Sequence, residues 1–143
     1  MASLEQLFGS ELLAKADGSK TSTQSLAECD LIGVYFSAHW CPPCRGFTPQ
    51  LASCYNAIKA AGKKFEIIFV SFDRDEAAFK EYFGEMPWVS LPFDSDKKEK
   101  LSEDYGVSGI PALILLNRDG SMKTTDGRQL VASDLNGEKF PWN

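Results

Sequence analysis

Two short apolar runs restrict this chain more than any other feature: Leu31-Ile32-Gly33-Val34-Tyr35-Phe36 and Phe65-Glu66-Ile67-Ile68-Phe69-Val70-Ser71. Both read as buried strands. Between them Phe47, Leu51, Cys54, Tyr55 and Ile58 recur at helical spacing, which predicts a helix from about Pro42 to Ala60 ended by Gly62. Strand, helix and strand in that order describe a right-handed crossover unit, and such a unit belongs to an α/β domain. Its strand-to-helix junction carries Trp40-Cys41-Pro42-Pro43-Cys44-Arg45, two cysteines separated by two residues.

The remaining elements follow from local signals. A short opening helix starts at Ser3, an N-cap for Leu4-Glu5-Gln6-Leu7-Phe8, and Glu11 to Thr23 reads as an edge hairpin turning at Asp17-Gly18. Asp75 is placed to cap a helix whose Ala78, Phe79, Tyr82 and Phe83 share a face, and Met86-Pro87-Trp88 breaks it. A helix over Asp96 to Tyr105 ends at Gly106. Strands over Ala112 to Leu116 and Ser121 to Thr125 flank the turn Asn117-Arg118-Asp119-Gly120, and a closing helix is expected near Leu130. Pro49 falls inside the long helix, where it removes a backbone hydrogen bond, so a kink one turn in is expected.

The chain has 143 residues, 43% of them hydrophobic, which fits one domain over 1–143 with its own core. Its 15 basic and 20 acidic residues are interspersed, leaving no basic tract for nucleic acid or anionic lipid. No apolar run is long enough for a membrane span and no signal-peptide pattern is visible, so a cytoplasmic address is expected. In a reducing compartment a CxxC pair is catalytic or metal-binding rather than a structural staple.

The junction gives the pair its chemistry. At a helix start the backbone N–H groups lack intrahelical partners and the helix dipole is positive, which stabilises a thiolate. Pro42 and Pro43 suit the first helical turn but contribute no N–H, so Cys41 draws chiefly on Cys44 and on the field of Arg45. Moderate stabilisation of the thiolate implies a reductase or isomerase-like donor rather than a strong oxidant.

The same residues admit other readings. Zinc needs four ligands, yet His39 is the only histidine, and Cys54 lies ten helical residues from Cys44, about 15 Å away. No metal site is therefore expected. Cys54 belongs to an apolar stripe and reads as a small hydrophobe. Cys29 sits beside acidic residues near a turn, with no assigned role. His39, two residues before Cys41 on an extended segment, reads as a surface or packing residue rather than the base of a hydrolase. Trp40, immediately before Cys41, is expected to be exposed and to flank a substrate. Ile110-Pro111 alone reads as a loop proline ahead of a strand.

The segment from Trp40 to Pro49, Trp-Cys-Pro-Pro-Cys-Arg-Gly-Phe-Thr-Pro, resembles the signature of tryparedoxins within the thioredoxin-like superfamily. Glu85-Met86-Pro87-Trp88, Gly109-Ile110-Pro111 and Phe140-Pro141-Trp142, with the two strands, also resemble nucleoredoxins, and the likeness covers nearly the whole chain. It implies a thioredoxin-like three-layer fold, a central mixed sheet flanked by helices with an N-terminal hairpin extension. It also implies a cis Pro111 that turns Ile110 toward the sulfurs. Trp40, Pro42, Ile110 and Pro111 would form the substrate-facing surface, with Asp73 and Arg128 as charged contacts. Many thioredoxins carry an acidic residue six positions before the nucleophile, where this chain has Tyr35. Asp73 is one candidate replacement; its other reading is a loop carboxylate or helix cap.

The resemblance implies a reductase without a separate cofactor, cycling through a Cys41–Cys44 disulfide with Cys41 as nucleophile and Cys44 as resolving thiol. Its partners would be a trypanothione-like dithiol or a reductase, and disulfide-bearing peroxidases of peroxiredoxin or glutathione-peroxidase type. A monomer is expected, with neither nucleic acid nor membrane as partner. The alternative is a nucleoredoxin-like binding module that holds a signalling partner in one oxidation state.

Overall fold

A computed structural model of the chain describes residues 4–142, so the Ser3 cap lies outside the described residues. Helix α1 covers Leu4–Phe8, strand β1 Glu11–Leu13, β2 Lys20–Ser22, β3 Leu31–Ser37, and helix α2 Pro42–Ala60. Then follow β4 (Phe65–Ser71), α3 (Glu76–Phe83), β5 (Val89–Ser90), α4 (Lys97–Asp104), β6 (Ala112–Asn117), β7 (Met122–Thr124) and α5 (Gly127–Ala132).

The strands form one mixed sheet in the order β2-β1-β5-β4-β3-β6-β7. Strands β3 and β4 are parallel from Leu31 opposite Phe65 to Ser37 opposite Ser71, with α2 connecting them. On its other side β3 pairs antiparallel with β6, Leu31 opposite Asn117 and Phe36 opposite Ala112. The expected hairpin β1–β2 occupies the sheet edge.

Alternation along the central strands divides the core into two layers, because successive side chains point to opposite faces. Ile32, Val34, Phe36, Ile68, Val70, Ile114 and Leu116 pack with Leu4 and Phe8 of α1 and Leu101 of α4. Leu31, Tyr35, Phe65, Ile67, Phe69, Leu113 and Leu115 pack on the other face with α2, α3 and Val131 of α5. Helices therefore cover both faces, giving the three-layer arrangement. Gly33 sits in a tight spot at the centre: a Cβ there would lie 3.2 Å from Leu113 Cδ1 and 3.3 Å from Ile67 Cγ1, so those two side chains would have to shift by a few tenths of an ångström.

Helix α2 matches its expected limits and runs through Pro49 as one element. Helix α3 begins as expected at Asp75, whose carboxylate accepts from the Ala78 N–H at 2.8 Å. Two elements differ from expectation. A 3₁₀ segment, Thr23–Glu28, follows β2, capped by the Ser22 side chain at Gln24 N–H and held by Thr23 Oγ1 donating to Gly9 O at 2.6 Å. Strand β5 consists of two residues just after Trp88, specified by pairing with Ile68 and Phe69 rather than by its own composition.

Phe69 meets Tyr35, Phe79, Tyr82 and Phe83. Phe69→Ala is expected to lower unfolding free energy by about 3–5 kcal/mol in urea titration, against about 1 kcal/mol for loss of the α3 cap in Asp75→Ala.

Candidate active site

Strand β3 is buried along its full length, and burial continues to Ala38 before the chain turns at His39 and Trp40. The turn closes where Cys41 N–H donates to Ala38 O at 3.2 Å, leaving Cys41 as the N-cap of α2 with Pro42 and Pro43 in its first turn. Both prolines are exposed. Each lacks the N–H that a helix start would leave unpaired, so the sequence begins the helix here without losing an intrahelical bond.

The two cysteines differ in access. Cys41 is 5% exposed and Cys44 is fully buried, and the pair packs with Ala38, Phe72 and Ile110. Both are free thiols. The Ile110–Pro111 peptide is cis, and Ile110 O accepts from Cys41 Sγ at 3.8 Å. Burial pushes the Cys44 thiol up to about 11, reinforced by its hydrogen bond with Cys41, while the Ser37 hydroxyl and the Ala38 N–H pull the other way.

Trp40 stands beside Cys41 with 49% of its surface exposed, as expected from its position. Its indole N–H donates to Phe72 O at 3.0 Å, and the Arg74 guanidinium lies 5.2 Å from its ring centroid. Arg45 is exposed and lines the depressions on the His39 side. Arg128 sits across the site, 5.9 Å over the Phe47 ring, and shares with Pro111 the lining of an open groove of about 450 Å³.

Asp73 is buried, but its carboxylate serves the loop. Oδ1 accepts from His39 N–H at 2.7 Å and Oδ2 from the Ser71 hydroxyl at 2.5 Å. The groups bearing most on Cys44 are Cys41, Ser37 and Ala38, none of them a carboxylate. The geometry thus agrees with the loop-carboxylate reading of Asp73. His39 stacks on Tyr82, with centroids 5.1 Å apart, and its Nε2 lies 3.8 Å from Glu85.

The sequence reading missed Ser37, Thr48 and Tyr82. Their hydroxyls, with that of Tyr35, form a buried chain behind Cys44: Tyr35–Thr48 2.7 Å, Thr48–Tyr82 2.6 Å and Tyr82–Ser37 2.7 Å. Thr48 also donates to Cys44 O at 2.9 Å. The available signal was Thr48 one helical turn after Cys44, together with Tyr35 at the position where many thioredoxins carry a carboxylate.

Cys29 is partly buried and Cys54 fully so, and burial pushes each thiol up to about 11. Cys54 Sγ donates to Asp134 O at 3.6 Å. No cluster of three or more potential metal ligands occurs among the described residues, and no helix of theirs is long and apolar enough to cross a membrane.

A mixed sheet between helical layers, with a CxxC pair at a helix start opposite a cis-proline edge, defines the thioredoxin class of thiol-disulfide folds. A Thioredoxin-like family model matches residues 29–122, and the chain belongs to that family, within its tryparedoxin and nucleoredoxin group. Over 132 residues it is 48% identical to nucleoredoxin of Bos taurus, covering 92% of this chain but only 30% of that protein's length. Tryparedoxin of Trypanosoma brucei brucei is 47% identical over 111 residues, 76% of either chain. A solved tryparedoxin II complexed with glutathionylspermidine superposes with a TM-score of 0.84 at 38% identity, covering 93% of this chain and 92% of that one. The chain is thus a thioredoxin-like domain related to both groups, and thioredoxin-fold oxidoreductases as a class carry electrons on a cysteine pair without a further cofactor.

The raised value at Cys44 has a definite sign. A folded-state value above the unfolded one stabilises the protein fully below the unfolded value of about 9, and that contribution is lost as pH rises through about 11. Iodoacetamide at pH 8 should label Cys41 well before Cys29, Cys44 or Cys54, and the melting temperature of the reduced protein should fall between about pH 9 and pH 11. Peptide mass spectrometry and a thermal melt series check the two expectations.

Proposed function

We propose that the protein is a protein-disulfide reductase of tryparedoxin type, carrying reducing equivalents from a low-molecular-weight dithiol to protein disulfides. The observation that carries this reading is the asymmetry of the pair: Cys41 reaches the surface beside exposed Trp40 and the Ile110 backbone, while Cys44 is enclosed directly behind it. The thiolate of Cys41 attacks a substrate disulfide, forming one S–S bond as the substrate's own breaks. Cys44 then attacks Cys41, the substrate leaves reduced, and the Cys41–Cys44 disulfide remains. An external dithiol restores the pair.

Trp40, Pro42, Ile110 and Pro111 form the edge that receives an extended substrate segment, whose backbone pairs with Ile110 as a short added strand. Arg128 supplies a charged contact across the groove it shares with Pro111. Asp73 shapes the opposite rim by fixing the His39 backbone. Pro43 and Arg45 set how strongly the first turn of α2 favours a thiolate. The reductant assigned is a trypanothione-like dithiol, supported by the tryparedoxin relatives and by the solved relative complexed with glutathionylspermidine. The acceptors assigned are disulfides of peroxiredoxin or glutathione-peroxidase type peroxidases, reached by a monomer of one domain in the cytoplasm.

Cys44→Ser should accumulate mixed disulfides with acceptor proteins, whereas Cys41→Ser should form none and lose turnover by at least about 1000-fold. Turnover by Cys41→Ser close to that of the unaltered protein would refute the assignment. Trp40→Ala and Arg128→Ala should each raise KM for a protein acceptor by about tenfold with little change in kcat. Parallel reduction of the oxidised protein by trypanothione, glutathione and thioredoxin reductase identifies the donor.

The 48% identity to nucleoredoxin favours one other reading, a redox-dependent binding module for a signalling partner. That reading requires retention of the partner by Cys41→Ser and little catalytic turnover, which pull-downs from reduced and oxidised protein distinguish.

A further inference from the structure

On the Trp40 side of Cys41 the surface carries two guanidinium groups that no carboxylate neutralises. The Arg74 guanidinium lies 5.2 Å from the Trp40 ring centroid, and Arg45 lines the same open depression of about 330 Å³. Both arginines are exposed. Among the described residues neither has a carboxylate within ion-pairing distance, whereas Arg118 is paired with Asp30 and Lys100 with Asp104. The depression does hold two carboxylates, Asp73 and Asp75, but both serve the fold. Asp73 is 6% exposed, and its oxygens accept from His39 N–H and the Ser71 hydroxyl. Asp75 accepts from Ala78 N–H at the start of α3, where the helix dipole also favours its negative charge. His39, the remaining titratable group of the depression, has its Nε2 3.8 Å from Glu85.

Trp40 is held at both ends of its indole: Nε1–H donates to Phe72 O, and the Arg74 guanidinium lies against the ring. Ring and guanidinium therefore form one platform beside Cys41. A guanidinium held against a ring still has N–H donors to offer, in the planar fork that matches a carboxylate.

We propose that Arg74, with Arg45 beside it, selects protein acceptors whose attacked disulfide is flanked by aspartate or glutamate. The proposal rests on the reading of Cys41 as the nucleophile of a protein-disulfide reductase and adds the chemistry of its acceptor. An extended segment that pairs with Ile110 passes Cys41 and continues over Trp40. Side chains one or two residues from the attacked cysteine then come within reach of two long arginine side chains. A carboxylate there gains charge-assisted hydrogen bonds, whereas a lysine meets two like charges.

The attraction is local. The whole chain carries a net charge of −5, so its long-range field repels an acidic protein. Only within the screening length, about 8 Å at physiological salt, do the two arginines prevail. The rim therefore discriminates between acceptors at contact rather than gathering them from a distance.

Three peptides test this on the full chain, each with one internal disulfide and differing only in the residues beside its cysteines: aspartate, serine or lysine. Single-turnover reduction by the pre-reduced protein is acid-quenched and read by chromatography. Each rate is divided by that of dithiothreitol on the same peptide, which removes the effect of the flanks on the disulfide itself. The unaltered chain should reduce the aspartate peptide about tenfold faster than the lysine peptide. Arg74→Glu should reverse that order, and Arg74→Lys should keep it with a smaller spread. The difference between the unaltered chain and Arg74→Glu should narrow in 1 M sodium chloride, where the screening length is about 3 Å. Equal normalised rates on the three peptides overturn the proposal. So does an Arg74→Glu variant that slows all three by one factor regardless of salt, since Arg74 then only braces Trp40. Reduction of the peptides undiminished in Cys41→Ser, or absent in the unaltered chain, would instead refute the reductase reading itself, an outcome distinct from failure of the acidic-acceptor proposal.

Discussion

Burial of β3 on both faces is the constraint on which the rest of this structure depends. Each of its residues from Leu31 to Ser37 is enclosed, with β4 on one side, β6 on the other and helices above and below. A strand held on four sides has little freedom in where it ends. Its last residue, Ser37, and Ala38 just after it therefore hold the turn into α2, and Cys41 N–H closes that turn on Ala38 O. The reactive pair is positioned by a rigid element rather than by a loop, as a site needing sub-ångström geometry requires. Strand β6 completes the arrangement from the other direction, because pairing of Ala112 with Phe36 fixes the height at which Ile110 and Pro111 face the sulfurs.

What was legible in the sequence was whatever local chemistry decides. The limits of α2 follow from two prolines at its start and Gly62 after its end, and those of β3 and β4 from uninterrupted apolar runs. Strand β5 was invisible because its two residues are strand only through their pairing with Ile68 and Phe69. The same limit applies within the site. Cys41, Cys44 and Trp40 announce themselves by spacing, but the hydroxyl chain joins Ser37 to Tyr82 across 45 positions and Thr48 to Tyr82 across 34. Serine, threonine and tyrosine in an amphipathic pattern look like ordinary boundary residues until the helices pack. Asp73, the carboxylate that the sequence offers in place of the one absent at position 35, has its oxygens occupied by His39 and Ser71.

Position 35 illustrates how the core and the chemistry share side chains. The Tyr35 ring makes edge contacts with Phe47 and Trp88, centroids 5.9 Å apart in each case, and its hydroxyl reaches Thr48. A carboxylate in this aromatic layer would need a partner or would be forced neutral, since burying an unpaired charge is costly. A neutral phenol fills the same volume, satisfies its one polar atom locally and leaves the layer apolar. Hydroxyls can also accept and donate in the same instant, which a chain of alternating donors requires and an ionised carboxylate cannot provide.

The asymmetry of the two cysteines then orders the reaction. A substrate disulfide can approach Cys41 from the Trp40 side, but Cys44 lies beyond reach of anything larger than the neighbouring sulfur. Burial that excludes the substrate also disfavours the Cys44 thiolate, so the feature that protects the resolving thiol from side reactions would, unaided, slow its proper step. Hydrogen bonds to the sulfur from Ser37 and Ala38 act against that penalty without opening the pocket. Because they come from the end of β3, the strand that sets the pair's position also sets how readily its inner member ionises. Geometry and reactivity at this site are therefore not independently adjustable: a change that loosens β3 to admit water around Cys44 would also move Cys41 relative to Ile110.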